Sequence, residues 1–344
     1  MILDFQNIED VKRQVESGLN SDPSIPEWKK EIFNFLEWYY SLDGPLLQKT
    51  SGSTDIPKEI KLSREVLSAS AEATIAYFKL AKRSSALLCI PAKFIGGKMM
   101  LMRAILGEWK LTCTEPKGNL SSVLAGVSSF DFTAMIPLQV QKLLNYDVSQ
   151  LNKIKNLIIG GAAVSDALEN ELCNAKINAY STYGMTETAS HVALKKLDGK
   201  SNFQALAGIS FSIDTEGRLS IEGLRLPESK LLTNDLVKLI SETSFHWLGR
   251  IDNVINSGGV KIVAEELEKT IATQLNEAFY ITKEIHSELG ETPVLVIECE
   301  AWESEKISVF LESLKPKLPD YWGPRKIRFV VHIDRTASGK IKRI

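Results

Sequence analysis

The sequence is poor in the residues that build metal centres and cross-links. Its 344 residues hold four cysteines (Cys89, Cys113, Cys173, Cys299) and four histidines (His191, His246, His286, His332). The cysteines form no CxxC pair and the histidines show no HxxxH or HxH spacing, so neither a zinc site nor a disulfide scaffold is written into the chain. Each cysteine sits in or beside an apolar stretch and reads as a buried, reduced thiol of a cytosolic protein. Charge of one sign is also missing. Lys and Arg number 41 against 43 Asp and Glu, a formal charge of −2, whereas a dedicated nucleic-acid binder carries a basic surplus. No apolar run suits a bilayer, because the most apolar window, 86–106, is broken by Lys93, Lys98 and Arg103. The first ten residues are mixed and acidic, unlike a signal peptide. These absences predict a cytoplasmic protein with no nucleic-acid or membrane partner. GxGxxG is absent too, which disfavours a dinucleotide fold. The nearest Gly-Lys-Ser, at 199–201, has Leu194 where a Walker loop needs its first glycine.

Hydrophobic residues make up 44% and charged residues 24%, enough for a real core, and the length allows roughly two domains. There is no internal repeat. Residues 10–40 carry two helical patterns around a turn at 21–26, with Trp28, Phe35 and Trp38 at helical spacing and expected to pack. Ser63 can cap a helix whose apolar face is Val66, Ala69, Ala73, Tyr77 and Leu80. Short apolar runs at 86–90, 132–136, 156–159 and 177–180 read as buried strands, and helical patterns at 138–144 and 166–173 lie between them. That alternation predicts an α/β sheet with the site in loops at strand ends. After Gly249 the texture changes: a helix at 264–276, a strand at 294–299, a helix at 304–314, a turn with Pro316, Pro319 and Pro324, and a strand at 326–333. The expected organisation is a large α/β domain over 1–249, with β-sheets and flanking helices, a hinge at 250–253 and a small α+β domain over 254–344.

The strongest chemical signal is Thr50-Ser51-Gly52-Ser53-Thr54-Asp55-Ile56-Pro57-Lys58. Small hydroxylated residues around a glycine let backbone N–H groups converge on an anion, and Lys58 adds positive charge, so the segment suits a polyphosphate. A surface loop has the same composition. Tyr183-Gly184-Met185-Thr186-Glu187-Thr188 follows a predicted strand and offers a ring for a base, a hydroxyl for a phosphate and a carboxylate for Mg²⁺. Asp235 can accept from both hydroxyls of a ribose. Then come Gly249-Arg250-Ile251-Asp252-Asn253, Ser257-Gly258-Gly259-Val260-Lys261 and Arg335-Thr336-Ala337-Ser338-Gly339-Lys340.

In this order the segments resemble the adenylate-forming superfamily of acyl-CoA synthetases, luciferases and adenylation domains, from about Gln48 onward. The resemblance implies a large domain hinged to a small C-terminal lid, with ATP, Mg²⁺ and coenzyme A as the small molecules handled. Thr50, Ser51, Gly52, Ser53, Thr54 and Lys58 would embrace the β- and γ-phosphates. Tyr183, Gly184 and Gly161 would belong to the nucleotide pocket, Thr186 would touch the α-phosphate and Glu187 would hold Mg²⁺. Asp235 and Arg250 would bind the ribose, Asp252 matches the hinge and Lys340 the catalytic lysine of the lid. Gly258, Gly259 and Lys261 would face coenzyme A. The family usually has glycine where this chain has Asp55 and Asn234. With 49 residues before Thr50, part of the family's usual N-terminal region is expected to be missing.

The implied reaction joins a carboxylic acid to ATP and then to a thiol. The stretch 91–106 (PAKFIGGKMMLMRAIL), with 134–139 and 157–163, resembles o-succinylbenzoate–CoA ligases of menaquinone biosynthesis. That acid has two carboxylates, and the one that does not react needs a counter-charge. Arg103 stands where the similarity puts it, with Lys98 as a second candidate. Two other readings compete. One is another acyl- or aryl-CoA ligase with Arg103 in a helix-surface salt bridge; the other is a nucleotide-binding relic. Seven Lys and Arg in 325–344 could face RNA or a membrane, but the resemblance assigns them to phosphates. A monomer or homodimer is expected.

Overall fold

A computed structural model describes residues 1–20, 24–49, 58–335 and 341–343. The chain divides into two compact bodies, one of Met1–Ser210 with Glu222–Leu231, the other of Phe211–Ile221 with the residues from Leu232 onward. The segment expected as a hinge, 250–253, lies within the second.

The first body runs β1 (Ile2–Asp4), α1 (Ile8–Asn20), α2 (Glu27–Ser41), β2 (Leu46–Lys49), β3 (Glu59–Leu62), α3 (Arg64–Tyr77), β4 (Ser85–Leu88), α4 (Ile95–Leu106), β5 (Lys110–Cys113), α5 (Ser121–Ala125), β6 (Phe132–Met135), α6 (Pro137–Asp147), β7 (Leu157–Ile159), α7 (Asp166–Asn174), β8 (Ala179–Met185), β9 (Ser190–Lys196) and β10 (Phe203–Ala205). Its sheet is ordered β1-β5-β4-β6-β7-β8-β9-β10. The central strands β5 to β8 are parallel, and β1, β9 and β10 are antiparallel to their neighbours. The parallel strands are buried on both faces, so they are short apolar runs. Alternate residues go to opposite layers. Ala86, Leu88, Phe132 and Ala134 pack with residues of α1 to α4. Leu87, Cys89, Met135, Leu157 and Ile159 join the layer of α5 to α7. This is the α/β body the sequence indicated. Strands β2 and β3 form a separate two-stranded ribbon.

Three local expectations are corrected. Strand β8 continues to Met185 rather than ending at Tyr180, so Tyr183 and Gly184 lie inside it. Ser63 does cap α3, accepting from Val66 N–H at 3.3 Å. The buried face of α3, however, is Leu67, Ser70, Ala71 and Thr74, one position off the expected one. Ser70 donates to the Ala189 carbonyl (3.0 Å) and Thr74 contacts the His191 ring (3.1 Å), so two polar residues turn inward to satisfy polar atoms next to and on β9. Finally, Cys89 and Cys113 are buried but Cys173 is exposed, because α7 turns Leu168 and Leu172 inward.

The second body runs β11 (Ser210–Ile213), β12 (Arg218–Glu222), β13 (Lys230–Ser241), β14 (Ser244–Arg250), β15 (Val254–Ser257), β16 (Val260–Val263), α8 (Ala264–Ile271), β17 (Phe279–His286), β18 (Gly290–Glu298), α9 (Ser304–Leu314) and β19 (Lys326–Val330). Strands β11 to β14 lie side by side in reverse order, and a second sheet is ordered β16-β15-β18-β17 with β19 on β18. Its core is Ile255, Ile262, Leu267, Ile271, Ile281, Leu295, Ile297 and Leu314. No helix among the described residues is long and apolar enough to cross a membrane.

Candidate active site

In the first body the parallel strands aim their carboxyl ends at one edge of the sheet, where α/β folds hold ligands. Gly161 follows β7 with φ +84°. Tyr183, near the end of β8, is buried and its ring lies 5.8 Å from that of Phe203. At Gly184 a Cβ would collide with the backbone of Ser190 and His191, so glycine lets β9 return close by. Thr186 and Glu187 then occupy a 3-10 turn over Thr186–Thr188. The Thr188 hydroxyl fixes it, accepting from Met185 N–H (2.9 Å) and donating to the Ser190 carbonyl (2.6 Å). The half-buried Glu187 thus sits in a hydrogen-bonded turn. No group of three or more His, Cys, Asp or Glu suited to a metal occurs among the described residues. A single carboxylate fits Mg²⁺, which takes one or two from protein and fills its shell with phosphate oxygens and water.

Residues 50–58 lie between β2 and β3 in the sequence, and the antiparallel register of these strands pairs Lys49 with Glu59. Thr50, Ser51, Gly52, Ser53, Thr54 and Asp55 lie outside the described residues, as does Lys340. Lys58 is exposed beside β3. Buried Gln48 ties this ribbon to the start of α4. Its amide donates to the Lys49 and Lys93 carbonyls (3.0 and 3.1 Å), and its oxygen accepts from Lys98 Nζ at 2.6 Å. Burial pushes the Lys98 ammonium down, partly offset by Glu31.

Arg103 is not on a helix surface. Helix α4 is buried on every side, from Met99 through Ala104, and Arg103 is 1% exposed. An all-round apolar sequence such as MMLMRAIL is the signal of a buried helix. Its guanidinium lies 5.9 Å from the Phe132 ring. Its Nε and Nη2 have no hydrogen-bond partner among the described residues. Burial pushes it down to about 9. Buried His191 is held well below the usual histidine value, first by burial and then by the charges of Arg103 and Arg225. The Thr74 hydroxyl donates to the Ser70 carbonyl (3.2 Å), which leaves its oxygen to accept from His191 Nε2–H. The interior here is positive and lacks a counter-anion among the described residues. A buried charge of this kind calls for a partner.

In the second body Asp235 and Arg250 face each other across the β13–β14 hairpin, 3.7 Å apart. Trp247 Nε1 donates to Asp235 (3.2 Å). Arg250 Nη2 also reaches Asp252 at 2.6 Å, and Asn234 Nδ2 donates to both Asp252 oxygens (3.2 and 3.3 Å). The asparagine that replaces the family's glycine therefore holds Asp252. Glu265 accepts from the Arg250 N–H (3.4 Å) and from Asn253, binding the 250–253 segment to α8. Gly258 (φ +57°) and Gly259 (φ +84°) make the tip of the β15–β16 hairpin, and exposed Lys261 follows. Positive φ at both explains the pair of glycines.

The motifs point to Tyr183, Glu187, Asp235 and Arg250. They leave out Gln48, Thr74, His191, Arg225, Trp247 and the Asn234–Asp252 contact. None of these carries a local signal: the last two depend on the hairpin register that sets Asp235 against Arg250.

A model of the AMP-binding enzyme family matches residues 45–219. The chain belongs to that family. The match takes in the 50–58 segment, Arg103 and the Tyr183–Glu187 turn, while Asp235, Arg250 and Asp252 lie beyond it. An Escherichia coli (strain K12) relative named 2-succinylbenzoate–CoA ligase is 26% identical over 309 residues, 85% of this chain and 66% of that protein. The chain thus spans just under two thirds of that relative's length. An acyl-CoA synthetase (AMP-forming)/AMP-acid ligase II-like protein from Dyadobacter fermentans DSM 18053 is 34% identical, with TM-score 0.62 over 94% of both chains. O-succinylbenzoate coenzyme A synthetase (MenE) from Bacillus subtilis, in complex with ATP and magnesium ion, shares the fold. Its TM-score is 0.75 at 20% identity, covering 86% of this chain and 68% of that one. Among AMP-binding enzymes, then, this chain is similar to proteins that carry the o-succinylbenzoate name.

Proposed function

We propose that this AMP-binding enzyme is an AMP-forming acid–CoA ligase, and that its acid is o-succinylbenzoate, as in menaquinone biosynthesis. The observation that carries the reading is Arg103, a guanidinium enclosed by apolar side chains with two N–H-bearing nitrogens unpartnered among the described residues. An acid with a second carboxylate supplies the missing anion, and a fork of parallel N–H groups matches it.

In the first half-reaction the substrate carboxylate attacks the α-phosphorus of ATP. An acyl-adenylate forms and pyrophosphate leaves. In the second, the thiol of coenzyme A attacks the acyl carbon, and AMP leaves as the thioester forms. The first step drives an anion against a polyanion, so alignment and positive charge carry it. Thr50, Ser51, Gly52, Ser53, Thr54 and Lys58 hold the β- and γ-phosphates. Tyr183, Gly184 and Gly161 border the adenine, and Thr186 meets the α-phosphate. Glu187 holds Mg²⁺, which supplies positive charge to the phosphates. Asp235, steadied by Trp247, accepts from the ribose hydroxyls, with Arg250 beside it. Lys340 stabilises charge on the α-phosphate, and Gly258, Gly259 and Lys261 serve the thiol step. Lys98 holds Gln48 and through it the ribbon that carries the phosphate segment.

The test is pyrophosphate release with a panel of acids, read with product mass in the presence and absence of coenzyme A. O-succinylbenzoate should give the adenylate without coenzyme A and the thioester with it. Release with no acid in the panel sinks the ligase reading; turnover of other acids alone sinks the substrate.

A further inference from the structure

Arg225 lies on the Glu222–Leu231 segment of the first body. Its residue is only partly buried, yet both of its Nη atoms are buried with no hydrogen-bond partner among the described residues. An arginine left to itself does the reverse, laying its stem on the surface and its head in water. The neighbouring Leu224 is 98% exposed, so the backbone here is at the surface and the guanidinium turns inward.

The segment is fixed in place. Gly223 N–H donates to the Ser229 carbonyl (3.0 Å) and Leu226 N–H to the Gly223 carbonyl (3.2 Å). Gly223 packs so tightly on Gly208 that a Cβ would come within 2.7 Å of the Gly208 oxygen. Leu206, just before that contact, donates to the Val192 carbonyl at 2.8 Å. Val192 adjoins His191, the ring on which the Arg103 and Arg225 charges both act. Two buried, unpartnered guanidinium groups thus bear on one neutral imidazole, which Thr74 holds from α3.

We infer that Arg225 completes, with Arg103, a two-guanidinium recess that takes the second carboxylate of a dicarboxylic acid. This rests on the acid-activating function proposed above. One arginine can grip one carboxylate edge; the second supplies donors to the remaining lone pairs and rejects acids that bring an alkyl group there. Specificity of this kind comes from leaving buried donors unpaired when the wrong ligand binds. Arg225 is therefore a specificity-determining residue for the acid.

The test is calorimetric binding to the full chain of o-succinylbenzoate and of 4-(2-methylphenyl)-4-oxobutanoate, which keeps the side-chain carboxylate and replaces the second, ring carboxylate by a methyl group. Wild type should prefer the dicarboxylate. Arg225→Met should weaken it on the order of tenfold to a hundredfold, leave 4-(2-methylphenyl)-4-oxobutanoate and ATP affinities unchanged, and be partly rescued in Arg225→Lys. Unchanged dicarboxylate affinity, equal weakening of both acids, or no binding by wild type each overturns the recess. Pyrophosphate release on the same samples separates the two readings. Arg225-dependent binding without release leaves the recess and removes the ligase; release with Arg225-independent affinity does the opposite.

Discussion

Arg103 brings a charge into an apolar interior, and among the described residues nothing neutralises it. Its low proton affinity, about 9 against 12.5, means the folded chain disfavours the charged form it must carry at neutral pH, a cost on the order of 5 kcal/mol. Arg103→Met is therefore expected to abolish turnover of a dicarboxylate while raising stability by about 1–4 kcal/mol, since an apolar side chain of similar size removes a buried charge. Denaturant midpoints and turnover measured together decide it; lower stability in the variant would count against the unpaired charge. His191 gives a pH effect. It stays neutral in the fold but takes a proton near pH 6.5 when unfolded. Below about pH 6.5 the unfolded chain binds more protons, so stability falls as pH falls, by up to about 1.4 kcal/mol per unit. His191→Gln keeps an N–H for Thr74 and should flatten the urea-midpoint profile between pH 7 and pH 5. Parallel profiles for the two proteins would remove His191 as the cause.

At the scale of elements, helix α8 holds Arg343. Arg343 makes a two-pronged ion pair with Glu268 and donates to the Ile281 carbonyl (2.7 Å). Glu265 lies 3.6 Å away, and Glu268 also accepts from Ile281 N–H at 2.6 Å. Burial pushes the Glu268 carboxyl up although Arg343 pulls it down. Arg343→Ala strands that carboxylate and is expected to cost about 3–5 kcal/mol in unfolding free energy, whereas Glu268→Leu with Arg343→Met should lose much less. An equal loss in both would mean packing, not charge, binds Arg343. Sequence alone puts Arg343 in a basic patch, but a half-buried partner 75 positions away leaves no local mark. The central strands were legible because two buried faces make them unbroken apolar runs. Strand β17 was not: it alternates and leaves Ile285 93% exposed. Helix α3 was found but turned by one position, since Ser70 and Thr74 look like solvent-facing residues until β9 is known. The contiguous motifs of the site were readable. Arg225 and Trp247 were not, because hairpin register and loop closure bring them in.

At the scale of the whole molecule, the proposed reaction has two half-reactions, and Lys340 is assigned to the first. Lys340→Ala is expected to slow adenylate formation by about 10²–10³-fold. Supplied acyl-adenylate should still be converted to thioester. Equal loss in the two half-reactions, measured by pyrophosphate release and by thioester mass, would count against assigning Lys340 to the first alone. A last consequence concerns survival rather than rate. The Arg103 charge is present with or without an anion beside it, so any occupant of opposite sign favours the folded chain by mass action. Resistance to proteolysis is then expected to rise with the concentration of such an anion.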